Sequence, residues 1–264
     1  GPYYASFGDF ATGGAIQMRL AEKFEESYAQ LSVGQYGVLR GLVIASPRLR
    51  EDWRAVVAAE LFKDDGPFQN PEDLQRHNVS AKVPHDLGPG TKASRTWMSY
   101  GSKWNGSGQI PARAVCGEGE EGAPPPEAYG AKCIDHFGYV DPTEGGSTQR
   151  HLAQLSVTSA WDDTQLSASL FMVRYQFSLF SNFTFFANDP VRGDQIEQTD
   201  DRWLGGLNVR LQQHAHYRGI QLTTSGGVQV RIDGIDNALY HDQARERLED
   251  RVKAKIGESS IGVW

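Results

Sequence analysis

Two cysteines, Cys116 and Cys133, stand with sixteen residues between them in the 264-residue chain. In an oxidising compartment such a pair is expected to close a disulfide, worth roughly 3 kcal/mol for a loop of this size in the chain-entropy description. The alternative is two unpaired thiols. A zinc site needs more ligands than His136, which alone stands nearby. His214 and His216 are the other metal candidates: a spacing of two puts both imidazoles on one face of a strand, where one ion could bridge them. Metal-free histidines beside a turn are the competing reading. Glu118, Glu120, Glu121 and Glu127, interrupted by Pro124-Pro125-Pro126, form an acidic stretch poor in structure-formers. It suits a cationic or metal-chelate ligand, or plain solvation. Nucleophilic machinery is missing. Gly257-Glu258-Ser259-Ser260-Ile261-Gly262 has the wrong spacing for a nucleophile elbow, and no phosphate-binding loop occurs. Asp162-Asp163 and Asp200-Asp201 suit turn edges better than a cleft. The expectation is a protein that is not an enzyme and needs no cofactor.

The elements that hold these residues follow from composition and period. A net charge of -7, with no two Lys or Arg adjacent, excludes the usual nucleic-acid footprint. No stretch approaches the roughly 20 apolar residues of a membrane helix, the longest run being Ala55-Val56-Val57-Ala58-Ala59. The chain is therefore soluble or crosses a membrane with strands. It opens Gly1-Pro2-Tyr3-Tyr4, without the charged and apolar regions of a signal peptide. It stops at Trp264 within a strand-like pattern, so it is expected to be a piece of a longer protein.

Period-two alternation dominates. Ile220, Leu222, Thr224, Val228, Val230 and Ile232 share one parity, against Gln221, Thr223, Ser225, Gln229, Arg231 and Asp233. Leu207, Val209 and Leu211 alternate with Asn208, Arg210 and Gln212, and this polar parity continues to His214 and His216. Leu155, Val157, Ser159 and Trp161 behave likewise, as do Ala29, Leu31 and Val33, and Val79, Ala81 and Val83. Gly88-Pro89-Gly90-Thr91, Trp161-Asp162-Asp163-Thr164 and Tyr217-Arg218-Gly219 have tight-turn chemistry. Long links are expected over 105–147, 182–199 and 234–247. Short and long links alternate, as they do in outer-membrane barrels with short periplasmic turns and long extracellular loops. Over 164–186 the apolar parity changes near Leu170-Phe171, which predicts a β-bulge or a strand leaving the membrane. The crowd Tyr175, Phe177, Phe180, Phe183, Phe185 and Phe186 predicts an interfacial girdle. The fold expected is all-β, an antiparallel up-and-down transmembrane β-barrel, represented by about ten strands of a larger barrel.

Several runs resemble one family. Gly8-Asp9-Phe10-Ala11-Thr12-Gly13-Gly14-Ala15-Ile16, approached by Gly1-Pro2-Tyr3-Tyr4, is similar to the end of the plug domain in TonB-dependent outer-membrane receptors. Gly13 stands where that pattern has alanine. Trp104-Asn105-Gly106-Ser107-Gly108-Gln109-Ile110-Pro111-Ala112-Arg113-Ala114-Val115 and Phe137-Gly138-Tyr139-Val140-Asp141-Pro142-Thr143-Glu144-Gly145-Gly146 resemble extracellular-loop stretches of one receptor subgroup. So does Leu179-Phe180-Ser181-Asn182-Phe183-Thr184-Phe185-Phe186, with the following Asp189-Pro190-Val191 and Gly193-Asp194-Gln195. The resemblance implies residues 1–22 as the end of a plug and its link, and 23–264 as the N-terminal part of a barrel of about 22 strands. It implies uptake of a scarce nutrient, a metal chelate of siderophore type or a small organic molecule. It also implies outer-membrane lipid and, for the full-length protein, the TonB energy-coupling complex as partners. Trp104, Gln109, Arg113, Phe137 and Tyr139 become the expected ligand contacts, with Tyr129 close by. A soluble all-β sandwich with long recognition loops is the alternative. The two differ in what covers the apolar strand faces: lipid, or a second sheet.

Overall fold

A computed structural model describes residues 20–50, 53–110, 112–116 and 133–264. The run 8–16, nearly all of the expected plug link, the acidic stretch with Tyr129, and the Arg113 side chain lie outside the described residues. Among the described residues twelve strands follow one another: β1 (Tyr28–Val33), β2 (Leu39–Ala45), β3 (Arg48–Arg50), β4 (Trp53–Arg54), β5 (Val56–Asp64), β6 (Leu74–Gly88), β7 (Thr91–Asn105), β8 (Gly145–Trp161), β9 (Thr164–Ser181), β10 (Ile196–Tyr217), β11 (Ile220–Gln243) and β12 (Glu246–Val263). Ten of them form one antiparallel up-and-down sheet in the order β1-β2-β5-β6-β7-β8-β9-β10-β11-β12, and β3 with β4 makes a separate small hairpin. The expected all-β fold of about ten strands is what the chain adopts.

The links sort by edge. One edge carries the two-residue turns Pro89-Gly90, Asp162-Asp163 and Arg218-Gly219. Asp162 (φ 48°), Arg218 (φ 50°), Gly219 (φ 80°) and Gly90 (φ 74°) take the left-handed backbone that such turns demand. The other edge carries the long links 106–144 and 182–195. Exceptions exist on both. Residues 46–55, holding β3 and β4, are a longer link on the short edge, and 34–38 and the two-residue turn at 244–245 are short ones on the long edge.

Three expectations change. Residues 234–247 are not a loop, because β11 runs unbroken through Gly234, Asp236 and Asn237 to Gln243 and turns on Ala244-Arg245. Ladder hydrogen bonds to β10 and β12 hold these turn-type residues extended. No bulge interrupts β9, whose register with β8 and β10 has no shift. Both parities of β9 are apolar because its two faces are covered differently. Leu166, Ala168, Leu170 and Met172 lie on one face; Phe171, Val173, Tyr175, Phe177 and Leu179 lie on the other. Nor do the aromatics of 175–186 form one girdle. Tyr175 and Phe177 stack on the second face, 6.5 Å apart, Phe180 is on the first, and the rest lie in the link.

Cross-strand partners share a face, so the register divides the sheet. The first face bears Leu155, Leu170, Leu207 and Val230 in one row and Ala153, Met172, Gly205 and Ile232 in the next. The second bears Ser156 hydrogen-bonded to Ser94, the Arg40–Glu60–Arg76 cluster, and the pairs Arg202–Asp200 and Arg231–Asp233. Exposure is inverted relative to a water-soluble sheet. Leu170 is 55% exposed, Met172 53% and Ile232 61%, whereas Val173 on the second face is 2% exposed. Along β8 the first-face positions are mostly exposed and the second-face positions half-buried, as on the outside and inside of a curved wall. They are called outer and inner below. Trp203, beside the polar row Gln176–Asp201–Asp236, and Trp161 and Tyr217, beside the short turns, bound the apolar outer zone.

Candidate functional site

The long-link edge is where the chain builds a site. Strands β10 and β11 have 22 and 24 residues, about twice what a tilted strand needs to cross a bilayer. They therefore carry their far ends well past the apolar outer zone. There the tip of β11–β12 meets the two long links. Ala244 (φ 50°) and Arg245 (φ 66°) both take left-handed backbone, which costs about 1–2 kcal/mol for a residue with a Cβ. Arg245 supplies compensating bonds. Its backbone N–H donates to Gln195 Oε1 (2.8 Å), and its guanidinium donates to Thr143 O (2.7 Å), Glu144 O (2.8 Å) and Asn105 Oδ1 (2.9 Å). Gly145 (φ 139°) lets this happen: a Cβ there would lie 2.3 Å from Trp104 O and 2.8 Å from Arg245 Nη2.

A second layer of polar groups locks the links to each other. Gln195, 2% exposed, donates to Asp141 Oδ2 (3.1 Å) and Thr143 Oγ1 (2.6 Å). Asn182 donates its side-chain amide to Asp141 Oδ2 (2.8 Å) and its backbone N–H to Glu144 Oε1 (2.7 Å). Asp194 gathers the N–H groups of Asn188 and Asp189 and the Thr184 hydroxyl. With the Asn188 backbone bond foremost, these lower its pKa to about 2. Asp242 is fully enclosed and its carboxyl oxygens have no hydrogen-bond partner. Burial, then the Glu197 charge, push its pKa up, against Arg247 and His241.

Between the links lies a cavity of about 390 Å³, within the range of small-molecule sites. Trp104, Phe180, Phe183 and Phe185 supply its aromatic lining, and Gln109, Glu144 and Asn182 its polar groups. Asn182 Oδ1 is buried behind this lining without a hydrogen-bond partner. This set suits a compact molecule with planar or apolar faces and a few hydrogen-bond donors.

Of the residues singled out from sequence, Trp104 and Gln109 line this cavity. Phe137 and Tyr139 do not. Phe137 packs edge-on against Phe68 (6.0 Å) and accepts the Gln69 N–H at its carbonyl, while Tyr139 is exposed. Arg113 belongs to the short 3-10 turn Ala112–Ala114. Cys116 and Cys133 are joined in a disulfide beside the Val115–Ile134 bridge. His214 and His216 share the inner face near the short turns. His214 is hydrogen-bonded to Gln212 and Thr223, and His216 to Gln221. Among the described residues no group of three or more His, Cys, Asp or Glu is placed to hold a metal ion. Asn182, Glu144, Gln195 and Arg245 were missed. The first three fall in runs that the sequence itself singles out, but nothing local marks Arg245.

Glu144 makes the site sensitive to pH. Burial raises its pKa, the Asn182 N–H opposes this, and the Asp141 charge adds to it. A raised folded-state value means stability that is full below the ordinary glutamate range and is lost as pH rises through the folded value. The loop end should therefore be tightest in acid. Glu144→Gln keeps the bond to Asn182 and should flatten the dependence, checked by melting curves of both proteins from pH 4 to 8. Parallel curves would refute the assignment to Glu144.

No protein-family model matches the chain, and no curated protein sequence does. Solved structures do. The ferripyoverdine receptor of the outer membrane of Pseudomonas aeruginosa superposes with a TM-score of 0.62 at 10% identity, covering 94% of this chain and 35% of that one. The ferric-catecholate import receptor Fiu of E. coli K12, in its open form, gives 0.65 at 12%, covering 92% and 41%. The ferric citrate transporter FecA, unliganded, gives 0.62 at 9%, covering 89% and 32%. The chain thus has the fold of a part of these proteins and spans about a third of their length.

Proposed function

We propose that this chain is a segment of a TonB-dependent outer-membrane receptor that takes up a metal chelate or small organic ligand, and that it is not an enzyme. Residues 1–22 would end the plug and 23–264 form the N-terminal part of the barrel. One observation carries the reading: the apolar rows lie on the more exposed face of a single sheet, and the ion pairs and hydroxyls on the less exposed one. Lipid against the apolar rows makes that arrangement favourable. The fold shared with chelate receptors supports it. Against a sandwich stands the sheet itself, since among the described residues no second large sheet covers Leu170, Met172 and Ile232. A receptor of this kind binds its ligand with the long links, so the cavity at Trp104 and Gln109 is the assigned contact. An arriving metal would keep its own chelator, because hydrogen-bonding and aromatic groups line the cavity.

The full-length protein should fractionate with the outer membrane and need detergent to stay monodisperse. Its tryptophan fluorescence should respond saturably to one of ferric citrate, a ferric catecholate or ferripyoverdine, and Trp104→Leu should weaken that response. A detergent-free, monodisperse protein would sink the membrane reading. Failure of all three chelates in a membrane-inserted protein would sink the chelate reading alone.

A further inference from the structure

We propose that Asp242 is a proton-operated latch at the β11–β12 tip. As the neutral acid it leaves Arg247 to Glu197 and keeps the tip docked on the 182–195 link; on losing its proton it competes for Arg247 and releases the tip. Three residues on one face make the device. Asp242 and Arg247 stand directly opposite each other across β11 and β12, and Glu197 stands opposite Tyr240 in the adjoining row. Arg247 nevertheless passes over its direct partner. Its guanidinium lies 3.9 Å from the Tyr240 ring centroid and donates to Glu197 Oε2 (2.5 Å), while Glu197 Oε1 accepts from the Ser178 hydroxyl (2.7 Å). Glu197 is thus satisfied at both oxygens. Asp242 is 0% exposed, and neither of its carboxyl oxygens has a hydrogen-bond partner. Two enclosed carboxyls stand beside one cation, and the cation serves only one of them.

An enclosed carboxyl with no donor bonded to it is tolerable as a neutral acid and costly as an anion. Burial first and the Glu197 charge from β10 second hold the proton on Asp242, against Arg247 from β12 and His241 beside it in β11. Gln195, which meets it from the link, is neutral. When the proton leaves to solvent, the guanidinium N–H groups turn to Asp242 only by leaving Glu197, itself 5% exposed. Whichever carboxylate wins, the other becomes a buried charge without a counter-ion, and admitting water relieves it. Water enters by parting the tip from the link, where the Asp242 N–H donates to Gln195 O (2.8 Å) and the Arg245 N–H to Gln195 Oε1 (2.8 Å). A folded value raised above the ordinary aspartate range gives docking that is full below that range and lost as pH rises through the folded value. Glu144 acts separately, through the Asn182 N–H. The latch works whatever ligand the cavity takes.

Hydrogen exchange and isotope-edited infrared spectroscopy of the full-length protein in detergent, from pH 4 to 9, test this. With chemical exchange rates corrected for pH, protection of the Asp242 and Arg245 amides should fall as pH rises. The fall should be about tenfold for each pH unit between the ordinary and the folded value. A protonated-carboxyl band should disappear over the same range. Asp242→Asn, neutral at every pH, should remove both the band and the step in protection. Glu197→Gln should move the loss of the band to lower pH and shrink the step, because Arg247 then serves Asp242 without leaving a charge unpaired. A purely structural role for Asp242 would move neither. Glu144→Gln should keep both. Retention of the step by Asp242→Asn, its loss in Glu144→Gln, or a band unmoved by Glu197→Gln overturns the proposal, and each leaves a membrane-inserted receptor intact.

Discussion

Leu207→Arg is expected to keep the protein out of the bilayer, at a cost of about 2–4 kcal/mol for a charge near the midplane. Leu207 stands eleven residues from Ile196 and ten from Tyr217, in the middle of β10, and its side chain points outward between Leu170 and Val230. Neither end of the strand is within reach of an arginine stem. Arg95, the charge already present in this row, is five residues from Gly90 and can reach water past the turn. The neighbouring change Asn208→Arg adds the same charge one residue on, but to the inner face beside Ser169, and should be tolerated. Heat-modifiable migration of both variants, refolded into vesicles, reads the difference. If the two insert equally well, the sheet does not present this face to lipid.

Arg245→Ala is expected to release the long links from the β11–β12 tip. It removes three guanidinium bonds, two to backbone carbonyls, and keeps the left-handed backbone. Charge-assisted bonds of this kind contribute about 1.5–3 kcal/mol each when intact, and partial replacement by water leaves a net loss of about 2–4 kcal/mol. Arg245→Gly loses the same bonds but relieves about 1 kcal/mol of backbone cost. The order of stability should be wild type, then glycine, then alanine. Hydrogen exchange over 141–147 and 182–195 should rise with the same ranking, and chelate affinity should fall with it. An alanine variant as protected as wild type would show that Arg245 does not hold the links.

Much of this fold was legible because a strand prints its environment on alternate residues. Leu207, Val209 and Leu211 against Asn208, Arg210 and Gln212 named both faces correctly, and Asp162-Asp163 and Arg218-Gly219 named the turns. Reading failed where the environment changes along a strand. Past Ile232 the outer face of β11 is no longer apolar, so Gly234, Asp236 and Asn237 look like loop residues although they are paired on both sides. The turn that ends β11 uses Ala244 and Arg245, without the glycine or asparagine that marks such turns. In β9, Phe171 and Val173 imitated a bulge because its inner face is apolar too. The site was half legible: Trp104 and Gln109 fell in recognisable runs. Arg245 did not, because its partners Asn105, Thr143 and Glu144 lie over a hundred residues earlier in the chain.

The strand order of the large sheet has a consequence for how such a wall is made. Apart from the detour through β3 and β4, every strand borders the one made just before it and the one made just after. Each hairpin can close within its own few dozen residues, and no step waits for a distant part of the chain, which keeps loop-closure entropy small for an all-β architecture. The wall can therefore grow by accretion, one hairpin zipping onto the last during delivery. Adding or losing a hairpin at a two-residue turn changes circumference by two strands without disturbing any other pairing. Circumference becomes a quantity that gene duplication can adjust in even steps.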